Sequence, residues 1–189
     1  KLDRKERGVA LAADLQAMLD LAQSRLKGID PAARPRGLAL TGKAGEYFSF
    51  SGRDGWRFLD LAGAVNICAG LTQPFPIVSP EWLAAAGPDF VLLSPYRMDY
   101  AEEEREAALE RALLEFKPVR DAAGLKRTRL IALDDLLTFG PRSVPGVLYL
   151  AKALHPALFA DVRAEDIHLE FLRKYFDYAP QGGHIYAME

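Results

Sequence analysis

With 189 residues, 50% hydrophobic and 26% charged, the chain has the makeup of one or two globular domains, and its 24 basic and 26 acidic residues leave a net charge of -2. No basic surplus is available to release phosphate counterions, so nucleic acid is not an implied partner, and no stretch approaches the roughly 20 apolar residues of a membrane span. A single cysteine, Cys68, excludes an internal disulfide and a cysteine metal cluster.

The first ten residues, KLDRKERGVA, carry no hydrophobic signal core and do not begin with Met, which reads as a trimmed boundary. From about Asp3 to Lys27, Leu11, Leu15, Met18, Ala22 and Leu26 recur at spacings of three and four, which predicts a long amphipathic helix ended by Gly28. Asp30 to Pro35 is a short stiff linker, because each proline fixes its own φ and biases the residue before it towards extended geometry. Gly37 to Thr41 reads as a first buried strand, and Gly42 to Gly52 as a loop carrying Tyr47, Phe48 and Phe50. A helix over Phe58 to Ala62 could be capped by Asp54 and ended by Gly63, and Ala64 to Ile77 is expected to be mostly loop, with Pro74 and Pro76 flanking Phe75.

The clearest local signal runs from Phe75 to Ser94. Ser79 is placed to cap a helix, Pro80 suits its first position, and Glu81 sits where the helix dipole favours an anion. Gly87-Pro88 stops that helix, and Phe90 to Leu93 follows as an apolar run expected of a strand covered on both faces. Tyr96 and Arg97 lie just beyond it. Loops at the carboxyl ends of parallel strands are where doubly wound sheets hold their ligands.

Asp99 to Phe116 predicts a second long helix with acids in its first turn, and Leu130 to Leu133 a third short strand. The loop after it holds Asp134, Asp135, Phe139 and Arg142, with the two acids expected in turn or capping roles. Ser143 is placed to cap a helix running through Leu154, and a last helix is expected from about Ala164 to Phe176. Strands alternating with helices predict an α/β three-layer sandwich around a small, mostly parallel sheet, preceded by the long helix.

Catalytic chemistry finds no constellation. No glycine-rich phosphate loop or Gly-x-Ser-x-Gly elbow occurs, and His155, His168 and His184 have no paired spacing for zinc, so each reads as a surface or helix-end residue. Cys68 reads as a small buried hydrophobe. What remains is a set of loop residues suited to a bulky ligand: Tyr47, Phe75, Tyr96 and Phe139 offer aromatic area, and Arg97 and Arg142 offer forked donors to carboxylates or oxyanions.

The segments GWRFLDLAGAVNIC, PFPIVSPEWLAAAGPDFVLLS, RLIALDDLLTFGPRS and LAKALHPALF resemble the carboxyl-terminal lobe of the periplasmic substrate-binding proteins of ABC importers, in the family that serves iron-siderophore complexes, haem, vitamin B12 and, in some members, molybdate. The resemblance runs from the first helix to about Phe176 and is most specific at Leu61 to Ile67 and at the Ser79 to Ser94 helix and strand. It implies that residues 1–29 form the connector between two lobes, that residues 36–189 form the carboxyl-terminal lobe, and that the amino-terminal lobe is absent. It further implies no catalysis and no resident cofactor, with a ferric chelate, haem, cobalamin or molybdate as ligand. Phe75 falls where some members set an aromatic against the ligand, Glu81 where the family docks on the permease, and Arg142 is the expected anion-facing contact. The location implied is periplasmic, or extracytoplasmic and membrane-anchored, and self-association through the face that a second lobe would cover is a further expectation. Two other readings stay open on the residues alone: a chelatase-like cytoplasmic α/β enzyme of tetrapyrrole metabolism, and a lobe kept only for interaction.

Overall fold

The computed structural model describes every residue except 1, 44–45, 54, 97–100 and 179–181, and the side chains of 2, 3, 43 and 46 are likewise outside the description. Arg97 and the Asp54 cap therefore lie outside the described residues.

The first helix, α1, spans Leu2–Leu26, and the 3-10 turn Pro31–Ala33, capped by the Asp30 side chain on the Ala32 amide, leads into strand β1 at Arg36–Lys43. There follow β2 (Glu46–Phe48), α2 (Phe58–Leu61), β3 (Val65–Asn66), α3 (Pro80–Ala86) and β4 (Phe90–Leu93). The second half contributes α4 (Arg105–Ala122), β5 (Arg129–Leu133), α5 (Ser143–Leu154), α6 (Ala164–Phe176) and β6 (Ile185–Met188). No described helix is long and apolar enough to cross a membrane.

The sheet runs β2-β1-β4-β5-β6, with β3 on the same edge of β1 as β2 but at its opposite end. β1, β3, β4 and β5 are parallel, while β2 and β6 pair antiparallel at the two edges. The sheet is thus mixed, as a parallel centre with antiparallel margins.

Strand side chains sort onto two faces by the period of two. Ala39, Phe90, Leu92, Ile131 and Leu133 face one core, completed by α1, α2 and α5. Leu38, Leu40, Val91, Leu93, Leu130 and Ala132 face the other, completed by α3 and α4 through Leu83, Leu109, Leu113 and Phe116. The result is the three-layer sandwich. Gly37 is required in β1 because any Cβ there would run into the ring of Phe90 on the neighbouring strand.

The helix expected from the leucine stripe forms and packs as the stripe predicts: Met18, Ala22 and Leu26 meet the first core, and Leu11, Leu15 and Met18 meet Phe171, Leu172 and Tyr175 of α6. The Lys174 ammonium and the Tyr175 hydroxyl both donate to the Asp14 carboxylate, at 2.6 and 2.7 Å.

α3 forms as its caps dictate, with the Ser79 hydroxyl accepting from the Trp82 amide at 3.2 Å and Gly87 closing it in the left-handed region at φ 56°. Other expectations are corrected. β2 lies within the expected Gly42–Gly52 loop, and β3 within the expected Ala64–Ile77 loop. The second long helix begins as a 3-10 turn at Glu102–Glu104 and continues six residues past Phe116, tolerating Pro118 inside it. Ser143 is the first residue of α5 and not its cap, its hydroxyl donating instead to the Gly140 carbonyl at 2.7 Å. The edge strand β6 is an element that the reading of the sequence did not anticipate.

Candidate ligand-binding ledge

Four chain segments converge at the carboxyl ends of the parallel strands: the β1–β2 hairpin and its continuation, the Pro74 to Val78 segment before α3 that bonds to it, the loop after β4, and the loop after β5. They bring together an aromatic ledge. Phe48 meets Phe75 at 6.4 Å and Tyr96 at 6.1 Å between ring centroids, and Phe50 meets Phe75 at 5.7 Å and Phe139 at 5.5 Å. Most of these pairs are edge-to-face, the arrangement that the ring quadrupoles favour. Phe50 is buried as the floor, whereas Phe75, Tyr96 and Phe139 are 51, 37 and 46% exposed, so the ledge presents open aromatic surface.

Trp56 holds the floor in place. Its ring stacks on Phe58 at 5.6 Å and lies 4.7 Å from Phe50, and its indole N–H donates to the Thr138 carbonyl at 3.0 Å. The loop after β5 is fixed from its other side as well: the Asp134 carboxylate accepts from the Leu136 amide at 3.1 Å, and the Ser94 hydroxyl donates to Asp135 at 3.2 Å. The turn role expected of these acids is the one found for Asp134.

Of the residues singled out from the sequence, Phe75, Tyr96 and Phe139 belong to the ledge, and Arg97 lies outside the described residues. Tyr47 does not join them. Successive residues of β2 point to opposite faces, so Tyr47 turns to the other core and packs edge-on against Phe116 of α4 at 5.2 Å, while Phe48 faces the ledge. Glu81 is solvent-exposed in the first turn of α3, and its backbone amide and the Ser79 hydroxyl hold its carboxyl below the usual carboxylate range.

Arg142 stands beside the ledge in an unusual state. Its side chain is half-buried, and its Nε is buried without a hydrogen-bond partner among the described residues. Burial lowers its proton affinity; the charges of Asp134 and Glu102 oppose that effect and Arg105 adds to it. A buried N–H without an acceptor is costly, so this edge of the guanidinium is a candidate anion contact.

Behind Arg142 the sequence reading missed a buried polar cluster. His168 and His184 were expected at the surface or at helix ends, and the structure corrects both: they are 0% and 5% exposed, with ring centroids 4.8 Å apart. The Asp134 carboxylate lies 3.0 Å from His184 Nδ1, and the fully buried guanidinium of Arg105 lies 3.9 Å from the same carboxylate. His155 is at a helix end as expected, closing α5. Cys68 is fully buried, with burial pushing its thiol upward, in keeping with the hydrophobe reading. No group of three or more metal-ligating side chains occurs among the described residues.

Comparison with known proteins rests on structure alone, since no family model and no curated protein matches the chain. The TroA-like periplasmic binding protein FepB of Veillonella parvula superimposes with a TM-score of 0.79 at 20% identity, over 100% of this chain and 58% of that one. The molybdate periplasmic binding protein MolA of Haemophilus influenzae gives 0.67 at 21% identity, over 95% and 53%, in a molybdate-bound structure. A periplasmic heme binding protein of Pseudomonas aeruginosa gives 0.54 at 25% identity, over 81% and 53%. The chain therefore spans a little over half the length of these proteins. It carries the α/β lobe fold of the periplasmic substrate-binding proteins that serve ABC importers.

Proposed function

We propose that this chain is the ligand-binding carboxyl-terminal lobe of an ABC-importer substrate-binding protein, with residues 36–189 as the lobe and α1 as the connector to a second lobe. The single observation carrying the reading is the open aromatic ledge of Phe48, Phe75, Tyr96 and Phe139 at the carboxyl ends of the parallel strands, with Arg142 in the loop that carries Phe139. This is the end of an α/β sheet where ligands are held. Aromatic faces supply stacking area, and the guanidinium supplies forked donors suited to an anionic group on the ligand. The ligand class that fits is a metal chelate with apolar or planar parts and a negative rim, such as a ferric siderophore or haem; molybdate, bound in one structure of similar fold, and cobalamin are the alternatives. Solved relatives of the same fold are periplasmic, which favours an extracytoplasmic location.

Docking to a permease is assigned to Glu81, an exposed carboxylate on the short, doubly capped α3. Such a charge contributes orientation and encounter rate more than affinity. A helical connector packed along α5 and α6 favours small hinge changes on closure.

The test is calorimetric titration with a ferric catecholate, haemin, cobalamin and molybdate, repeated on Arg142→Met and Phe139→Ser. One of the four binds, and each substitution weakens that binding about tenfold or more, as expected for loss of a charge-assisted contact or a stacking face. Absence of binding to all four, or equal binding by both variants, contradicts the reading.

A further inference from the structure

The loop that follows β5 is joined to α5 and α6 by buried polar groups. Asp134 opens the loop, and its amide donates to the His184 carbonyl at 3.0 Å while its carboxylate meets His184 Nδ1. The His184 ring lies edge-on to His168 of α6, and His168 Nδ1 lies 3.5 Å from the Tyr149 hydroxyl of α5. One turn or more further along α6, Lys174 and Tyr175 are bonded to Asp14 of α1, and Arg7 of α1 donates to the Tyr175 carbonyl. At its other end, Thr138 in the loop accepts from Trp56 beneath the ledge.

In this run the Nε2 atoms of both His168 and His184 are buried without a hydrogen-bond partner among the described residues, and the His168 ring is fully buried. Among the described residues, charged groups face the pair from several elements. Arg105 of α4 and Arg142 of the loop act on Asp134, Glu102 pairs with Arg105, and Glu106 of α4 feels His184. Tyr149 of α5 touches both rings, with Glu165 of α6 acting on its hydroxyl. The two carboxylates nearby are engaged elsewhere, Asp134 with His184 and Arg105 and Glu102 with Arg105, while the His168 ring is fully buried. A proton added to His168 is therefore accommodated only by separating the rings or letting water in.

We propose that the Tyr149–His168–His184–Asp134 run is a proton-operated latch: closed while His168 is neutral, it fixes loop 134–142 against α6, and acid opens it, releasing the loop that carries Phe139 and Arg142. This regulation rests on the reading of that loop as part of the ligand site, but the opening itself is a property of the chain without ligand. The depressed proton affinity of His168, brought to about 3 by burial and then by His184 and Arg142, agrees with a latch that is closed at neutral pH.

The experiment uses no ligand, so its failure leaves the binding proposal standing and failure of the binding proposal leaves it unaffected. In a Trp82→Phe background, Trp56 is the sole tryptophan, and its emission is followed against pH beside far-ultraviolet circular dichroism. The expected result is a change in Trp56 emission at a higher pH than the loss of helix, shifted about one unit lower in His168→Phe and in His168→Gln, a tenfold change in proton affinity. Ring NMR of the unmodified chain is the second reading: His168 signals and the amides of loop 134–142 change with one shared midpoint. Trp56 emission that changes only with global unfolding, midpoints unmoved in both variants, or separate NMR midpoints would overturn the latch.

Discussion

Trp56 and Thr138 are joined by a hydrogen bond from the indole N–H to the backbone carbonyl at 3.0 Å, and through it the floor of the aromatic ledge is fixed to the loop after β5. The two residues are 82 positions apart, yet this contact sets where Phe139 stands relative to Phe50. Trp56→Phe keeps an aromatic ring against Phe50 and Phe58 but leaves the Thr138 carbonyl without the indole. A hydrogen bond to a partly buried acceptor contributes about 1 kcal/mol net, so urea unfolding of the variant should show stability lower by that order. An unchanged midpoint would mean that the bond does not hold the loop.

Gly146 on α5 lies against the loop so closely that a Cβ would collide with the Leu137 carbonyl. Alanine is normally the better helix residue by about 1 kcal/mol, so intrinsic propensity alone makes Gly146→Ala stabilising. Overpacking against backbone costs about 1–3 kcal/mol, and the collision is with an atom that cannot rotate away. The variant is therefore expected to be less stable than the parent, by thermal melting, and to show shifted amide signals at 135–139.

Stability should fall on acidification in a window set by His168. Its folded-state pKa is about 3, against roughly 6.5 for an exposed histidine. Between those values the unfolded chain binds a proton that the folded chain does not. The stabilisation is therefore fully present above about pH 6.5 and is lost towards pH 3, at up to about 1.4 kcal/mol per pH unit. Asp134 acts in the same direction at lower pH: burial raises its pKa, but His184, the Leu136 amide and Arg142 outweigh that and leave it below the usual range. Denaturation midpoints measured from pH 7 to 4 should fall, and His168→Phe should flatten the upper part of that slope.

If Glu81 docks on a permease, its replacement should separate capture from delivery. Glu81→Lys is expected to bind ligand as the parent does, because α3 lies on the opposite face of the sheet from Trp56 and Phe50. Transport by membranes carrying the cognate permease should drop. Equal transport by parent and variant would remove Glu81 from the docking surface.

Local chemistry made much of the fold legible. Ser79, Pro80 and Gly87 fix α3 between its caps, and the apolar runs of β1, β4 and β5 announce strands covered on both faces. The strands that escaped notice are those whose formation depends on a partner. β2 is three residues in an aromatic loop and pairs only because β1 is beside it, and β6 follows a glycine pair as an edge strand on β5. The ledge was partly legible because Phe75, Tyr96 and Phe139 are aromatics in loops that the strand order brings to one end. Tyr47 and Phe48 could be told apart only once the register of β2 was known. The histidine cluster was not legible: His168 and His184 are 16 residues apart with no spacing rule, and their burial is produced by the docking of α6 and β6 onto the end of β5.

The account stands most directly on where a ligand touches this chain. Amide NMR during titration with haemin and, separately, a ferric catecholate and molybdate reads contacts down to millimolar affinity, residue by residue. The account predicts that one of these shifts the signals of Phe48, Phe75, Tyr96, Phe139 and Arg142 together, with those of α3 unmoved. Shifts confined to the opposite end of the sheet, around Arg36, Val65 and His155, or no shifts with any of the three, would contradict it.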